Sequence, residues 1–249
     1  MEDLFNILAL AFLGSIAGLI GGAVLLFKEH WTKTLANIAL PLATGVLLAV
    51  SFLDLLPEAV EELGTNTFSI VLAVFIVLFL IERFLFHLHH HSSNDEREPK
   101  TAIPLVIFGD TIHNFLDGVA IAASYMVNPA LGLTVALATF LHETPHEIAD
   151  LGILLKSGWA RKKAFLANFY SALATFPGAL FTFYFSQKVE GSVGVLLAIA
   201  AGLFLYVAAT DFLPETKIES EKSSVKNVSF LILGVILVIL IGILLPHAG

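Results

Sequence analysis

Two short stretches concentrate side chains that bind metals: His113-Asn114-Phe115-Leu116-Asp117-Gly118 and His142-Glu143-Thr144-Pro145-His146-Glu147. Both lie within apolar surroundings, where an ionisable group is costly and by default marks a substrate path. The chain has no cysteine and only two methionines. Thiolate sites, disulfides and a soft copper(I) site are therefore excluded, leaving imidazole, carboxylate and amide as ligands. The candidates are His113, Asn114, Asp117, His142, Glu143, His146 and Glu147. They outnumber the four ligands that zinc usually takes, which fits two metals, or one metal with an onward relay.

These ligands must be held by membrane helices. Of 249 residues, 57% are hydrophobic and 14% charged, and the mean hydropathy of +0.87 lies outside the range of water-soluble domains. Apolar runs of about 20 residues, enough to cross roughly 30 Å of hydrocarbon, fall at 5–27, 35–57, 68–86, 102–127, 130–155, 164–186, 192–213 and 228–246. The first run lacks a basic leader and a cleavage site, so it is read as a retained helix. The tight connection at Val127-Asn128-Pro129 makes spans four and five antiparallel neighbours. His113 precedes Asn128 by 15 residues and His142 follows it by 14, so the two imidazoles meet about 20 Å below the turn, near the bilayer midplane.

On span four, His113 and Asp117 share a face, with Asn114 beside them and Asp110 about one turn earlier. On span five, His142 and His146 share one face and Glu143 and Glu147 the next, with Asp150 below. Pro145 removes a backbone donor and predicts a broken helix whose freed Leu141 carbonyl faces the ligands.

Loop charge sets the orientation, because Lys and Arg collect on the cytoplasmic side. Alternate loops divide the 13 basic residues twelve to one, with Lys188 alone in the minority set. This predicts both termini outside. It also places the loop 87–101, with His87, His89, His90 and His91, in the cytoplasm, where the four histidines could hold a divalent cation loosely or simply be solvated. Gapless alignment of 45–58 with 202–215 gives seven identities in fourteen positions, including Asp-x-x-Pro-Glu in both. The matching segments end spans two and seven, which run in opposite directions. The expected fold is thus an all-α integral membrane protein, a single polytopic domain over 1–249. It has eight transmembrane helices in a 3+2+3 arrangement, with inverted repeats (helices 1–3 and 6–8) around a central helix 4/5 pair, as in alternating-access carriers. Asp54 and Glu58 at one end and Asp211 and Glu215 at the other then become candidate doors on a cation path through Asp110 and Asp150; as plain helix-end residues they need no function.

At this point the chain resembles the Zrt/Irt-like (ZIP) family of divalent metal transporters. Members carry His-Asn-x-x-Asp-Gly in the fourth span and His-Glu-x-Pro-His-Glu in the fifth, as His113 to Gly118 and His142 to Glu147 do here. The likeness extends to eight spans, a His-rich cytoplasmic loop after the third, and Leu-Pro-Glu endings on the second and seventh. It implies transport, not enzymatic catalysis: zinc, and also iron, manganese or cadmium, entering the cytoplasm across the plasma (inner) membrane through a binuclear centre. Carried over by position, His113, Asp117, His142 and His146 form the main site, with Asn114, Glu143 and His146 around the second. Glu147 stands where some relatives have glycine. Thr175 and Phe176 precede Pro177, where some relatives supply a further carboxylate. Zn²⁺ is the substrate, no organic cofactor is implied, and the partners are divalent metal ions and the lipid bilayer, with a homodimer as an option and nucleic acid excluded.

Two other classes compete. His142-Glu143-x-x-His146 is also the pattern of zinc metalloproteases, with Leu116-Asp117-Gly118 as a third-ligand motif; against it, Pro145 falls between the imidazoles and the aspartate motif comes first. A non-transporting metal sensor would have no need of inverted halves.

Overall fold

The computed structural model describes residues 1–19, 29–87, 103–189, 191–216 and 221–245, and these are helical throughout, with no strand among them. The helices are α1 (Glu2–Gly14), α2 (Glu29–Val50), α3 (Leu56–Leu63), α4 (Asn66–His87), α5 (Ile103–Val127), α6 (Pro129–Lys156), α7 (Arg161–Ala172), α8 (Thr175–Ser186), α9 (Ser192–Val207), α10 (Leu213–Glu215) and α11 (Glu221–Leu244). The loop histidines His89, His90 and His91 lie outside the described residues.

Among the described residues, six helical segments are long and apolar enough to cross a membrane: Glu2–Leu19, Ile38–Leu63, Asn66–Arg83, Arg161–Ser186, Ser192–Phe212 and Val225–Leu244. Helices α5 and α6, of 25 and 28 residues, match them in length but interrupt their apolar runs with the acids and histidines of the two motifs. Phe68, Leu72, Ile76 and Phe79 on α4 and Ile232, Ile236 and Leu240 on α11 are exposed. Such faces are unfavourable in water and at home in lipid. The chain is an integral membrane protein.

The main core lies between α2, α3, α5, α6 and α9, where Leu47, Val50, Leu55, Ile121, Leu131, Val135, Leu197 and Phe204 are buried together. Helix α5 packs on α6, α7, α8 and α9; α6 packs also on α1, α2 and α7; α2 packs on α11, and α9 on α4. The α5–α8 crossing is so close that a Cβ on Gly118 would strike the Thr175 carbonyl, and one on Gly178 the Phe115 carbonyl. Small residues permit this approach, which van der Waals packing and the Thr175–Asn114 hydrogen bond stabilise.

Three local features shape the helices. Asn128 is extended and its side chain accepts from the Ala130 N–H at 2.8 Å, with Pro129 at the first helical position; this cap lets α6 start with Asn128 as the single residue between it and α5. Ser51–Leu55 joins α2 to α3, and Ala208–Phe212 joins α9 to α10, as π-helical turns. Each closes with an N–H to the carbonyl five residues back, Leu56 to Ser51 and Leu213 to Ala208, just before Pro57 and Pro214. A proline cannot donate and crowds the carbonyl four residues earlier, so the helix widens there. The two turns occupy equivalent positions in the alignment of 45–58 with 202–215.

The break expected at Pro145 is absent: α6 runs without interruption from Pro129 to Lys156. One missing donor is a modest loss in a helix held on several sides by α1, α2, α5 and α7.

Candidate metal centre

Helices α5 and α6 bring His113, Asp117, His142 and Glu143 together. From His142 Nε2 the neighbours are His113 Nε2 at 3.1 Å, Asp117 Oδ2 at 3.2 Å and Glu143 Oε1 at 3.5 Å. His113 Nε2 lies 3.2 Å from Glu143 Oε1 and 3.8 Å from Asp117 Oδ2. Bonds of 2.0–2.2 Å to a tetrahedral zinc place ligand atoms about 3.3–3.6 Å apart, so these four side chains are spaced as ligands of one ion. Asp117, His142 and Glu143 are fully buried, and His113 is 8% exposed.

Local contacts fix the imidazole of His142. Its Nδ1 lies 3.0 Å from the Ala138 carbonyl, which can only accept; Nδ1 is therefore the donor, which in the neutral ring leaves the lone pair on Nε2. Phe204 of α9 meets the same ring edge-on at 5.4 Å, closing that side with apolar surface.

His146 stands in a second group. Its Nδ1 lies 3.9 Å from Asp110 Oδ1 and 3.8 Å from Asp150 Oδ2, and its ring stacks on His113 at 5.0 Å. A third group contains Asp110, Glu143 and Glu147. Asn114 binds the helices around these groups. Its Oδ1 accepts from Ser15 Oγ at 3.1 Å and Thr175 Oγ1 at 3.2 Å, while its Nδ2 donates to the Asp110 carbonyl and to Asp110 Oδ1 at 2.9 Å.

Sequence reading overlooked several partners. Asn168 of α7 donates to Glu147 Oε2 at 2.5 Å and to the Glu147 carbonyl. A cavity of about 380 Å³ reaches from Asp110, His113, His146 and Asp150 to Asp211, and Glu82 and Tyr206 also line it. The Tyr206 hydroxyl donates to Glu82. Only the lone acid in the otherwise apolar α4 could have pointed to Glu82. Asp54 is 7% exposed inside its π turn; the equivalent Asp211 is exposed and accepts from Thr210 Oγ1. Glu58 is half-buried and Glu215 closes α10.

A buried His and carboxylate cluster inside an all-helical membrane protein marks a protein that handles metal ions within the bilayer. The comparisons say which kind. The family model described as ZIP Zinc transporter matches residues 4–104 and 89–242, and the chain belongs to that family, whose members are metal transporters and not enzymes. It is 41% identical over 127 residues, half of this chain, to zinc transporter ZIP10 of Mus musculus. It is 41% identical over 111 residues, 45% of the chain, to zinc transporter foi of Drosophila melanogaster. Against zinc transporter ZIP4 of Mus musculus the identity is 44% over 110 residues, 44% of the chain. These matches cover 15%, 16% and 16% of the three relatives' own lengths.

Proposed function

We propose that this protein carries Zn²⁺ across the membrane into the cytoplasm through a midplane site between α5 and α6. The observation that carries the reading is the four-ligand set His113, Asp117, His142 and Glu143, with donor atoms 3.1–3.8 Å apart in the pairs given above and buried with no Lys or Arg partner among the described residues. His146, with Asp110 and Asp150, forms the next station, on the wall of the cavity that leads to Asp211. Asn114 is the amide next to both, and a second ion at the His146 station makes the centre binuclear.

Eight spans follow when each π-turn pair is counted as one span, α7 with α8 as another, and α5 and α6 as the central two. Equivalent contacts then recur. Helix α2 packs on α6 as α9 packs on α5, α1 on α6 as α8 on α5, and α2 on α11 as α9 on α4. With the matched π turns, these pairs support inverted halves around the central pair. Loop charge puts Asp211 and Glu215 at the cytoplasmic end and Asp54 and Glu58 at the outer one. Iron, manganese and cadmium suit the same donors to differing degrees.

The metalloprotease alternative needs His142 and His146 on one metal. The uninterrupted α6 removes the objection raised from Pro145, yet His142 converges with His113 and Asp117 whereas His146 faces Asp110 and Asp150. The family is not one of proteases. Purified protein in liposomes holding a zinc-sensitive dye gives the test: wild type brings zinc in, and the double variant His142→Ala, His146→Ala falls to the rate of empty vesicles. Wild-type vesicles that take up no zinc would sink the proposal.

A further inference from the structure

Glu147 faces inward toward the other acids. It is 1% exposed, Asn168 holds one of its oxygens, and the other, Oε1, has no hydrogen-bond partner. Glu143 is fully buried, and its Oε2 is likewise without a partner. Asp110, 4% exposed, completes a trio whose carboxylate oxygens lie within 4.8 Å of one another. No Lys or Arg pairs with any of the three among the described residues; the ion pairs of Asp110 and Glu143 are with imidazoles alone. Three carboxylates at this separation in a low-dielectric interior repel strongly unless a cation or protons compensate them.

Donor type separates this trio from its neighbours. The His113 group offers two nitrogens, and the His146 group one, whereas Asp110, Glu143 and Glu147 offer oxygen only. Oxygen-only sets suit hard divalent cations of the manganese and magnesium class, and a borderline ion such as zinc gains more from imidazole. Helix α6 supplies Glu143 and Glu147 four residues apart, hence on one face, and α5 supplies Asp110. Asn168 of α7 fixes the Glu147 carboxylate while leaving its second oxygen free.

We propose that Asp110, Glu143 and Glu147 form a further binding site for a hard divalent cation, one that shares Glu143 with the zinc ligands and Asp110 with the His146 station and has Glu147 as its own ligand. The proposal rests on the reading of α5 and α6 as the cation path, but its test needs no transport. Manganese(II) serves as the probe: the detergent-purified full chain is titrated with MnCl₂, and binding is read from the loss of the aqua-ion signal in electron paramagnetic resonance.

Wild type should remove manganese from solution. The Glu147→Gln and Asp110→Asn variants should each bind it at least tenfold more weakly, at an unchanged gel-filtration profile. Pulsed measurement of the bound ion should reveal no directly coordinated imidazole nitrogen.

A Glu147→Gln variant that binds manganese as tightly as wild type, or a bound ion with a directly coordinated imidazole nitrogen, would overturn the assignment. So would a wild-type protein that leaves the aqua-ion signal untouched, since the acids would then be holding protons. Zinc uptake in vesicles is scored separately. Its failure would defeat the transport reading and leave the manganese result standing.

Discussion

Asn114 commits both ends of its amide. Two hydroxyls, from Ser15 of the first span and Thr175 of α8, donate to its oxygen, and its nitrogen donates twice to Asp110. It is fully buried, so removing the amide strands polar groups where water does not readily replace it. Asn114→Ala should cost about 1–3 kcal/mol, the usual penalty for unsatisfied buried partners. Thermal unfolding in detergent would register this as a lower midpoint, and an unchanged midpoint would count against the network. The motif residues and the equal depth of His113 and His142 could be read from the sequence, because a one-residue turn and a fixed rise per residue determine them. The partners could not. Asn168 lies 21 positions from Glu147 and Tyr206 lies 124 from Glu82, and only packing of the helices brings them together. For the same reason the division of the ligands, with Glu143 beside the His113 pair and His146 turned to Asp110 and Asp150, does not follow from helical spacing alone.

The candidate metal ligands of α5 are positioned by how closely that helix can approach α8. Gly118 directly follows Asp117, one of the proposed ligands, and a methyl group there would run into the Thr175 carbonyl; Gly178 meets the Phe115 carbonyl reciprocally. Backbone on the opposite side cannot swing away as a side chain can, so either helix must move. Gly118→Ala should destabilise the protein by about 1–3 kcal/mol, as overpacking does, and should slow zinc uptake in liposomes by displacing Asp117 from His142. Normal stability with normal uptake would show that the crossing tolerates a wider separation. Gly118 is visible in the motif, but its reason is a contact some 60 residues away in sequence. Prolines were readable only in part. Pro57 and Pro214 each follow a π turn that the sequence reading took as plain helix, whereas Pro145 was expected to break α6 and does not. A proline announces a missing donor; whether the helix widens, breaks or carries on depends on what packs around it.

At the scale of the whole molecule, the two repeat-equivalent aspartates are in different states. Asp54 is buried, and Asp211 is exposed on the cavity that reaches His113 and His146. A carrier built from inverted halves is expected to look like this when one end is open, because symmetry-related segments exchange roles as access alternates. On the orientation proposed from loop charge, the open end would be the cytoplasmic one. The cysteine-free sequence makes this testable with a single introduced thiol. Gly109 lines the cavity, and a Cβ there meets nothing within 4 Å, so Gly109→Cys should fold as the parent does. In membrane vesicles of known sidedness, a membrane-impermeant thiol reagent should label Cys at position 109 from the cytoplasmic face and not from the outer face. Zinc should slow the labelling by occupying the station at His146. Equal labelling from both faces would mean a continuous pore in place of alternating access, and labelling from the outer face alone would reverse the assigned orientation.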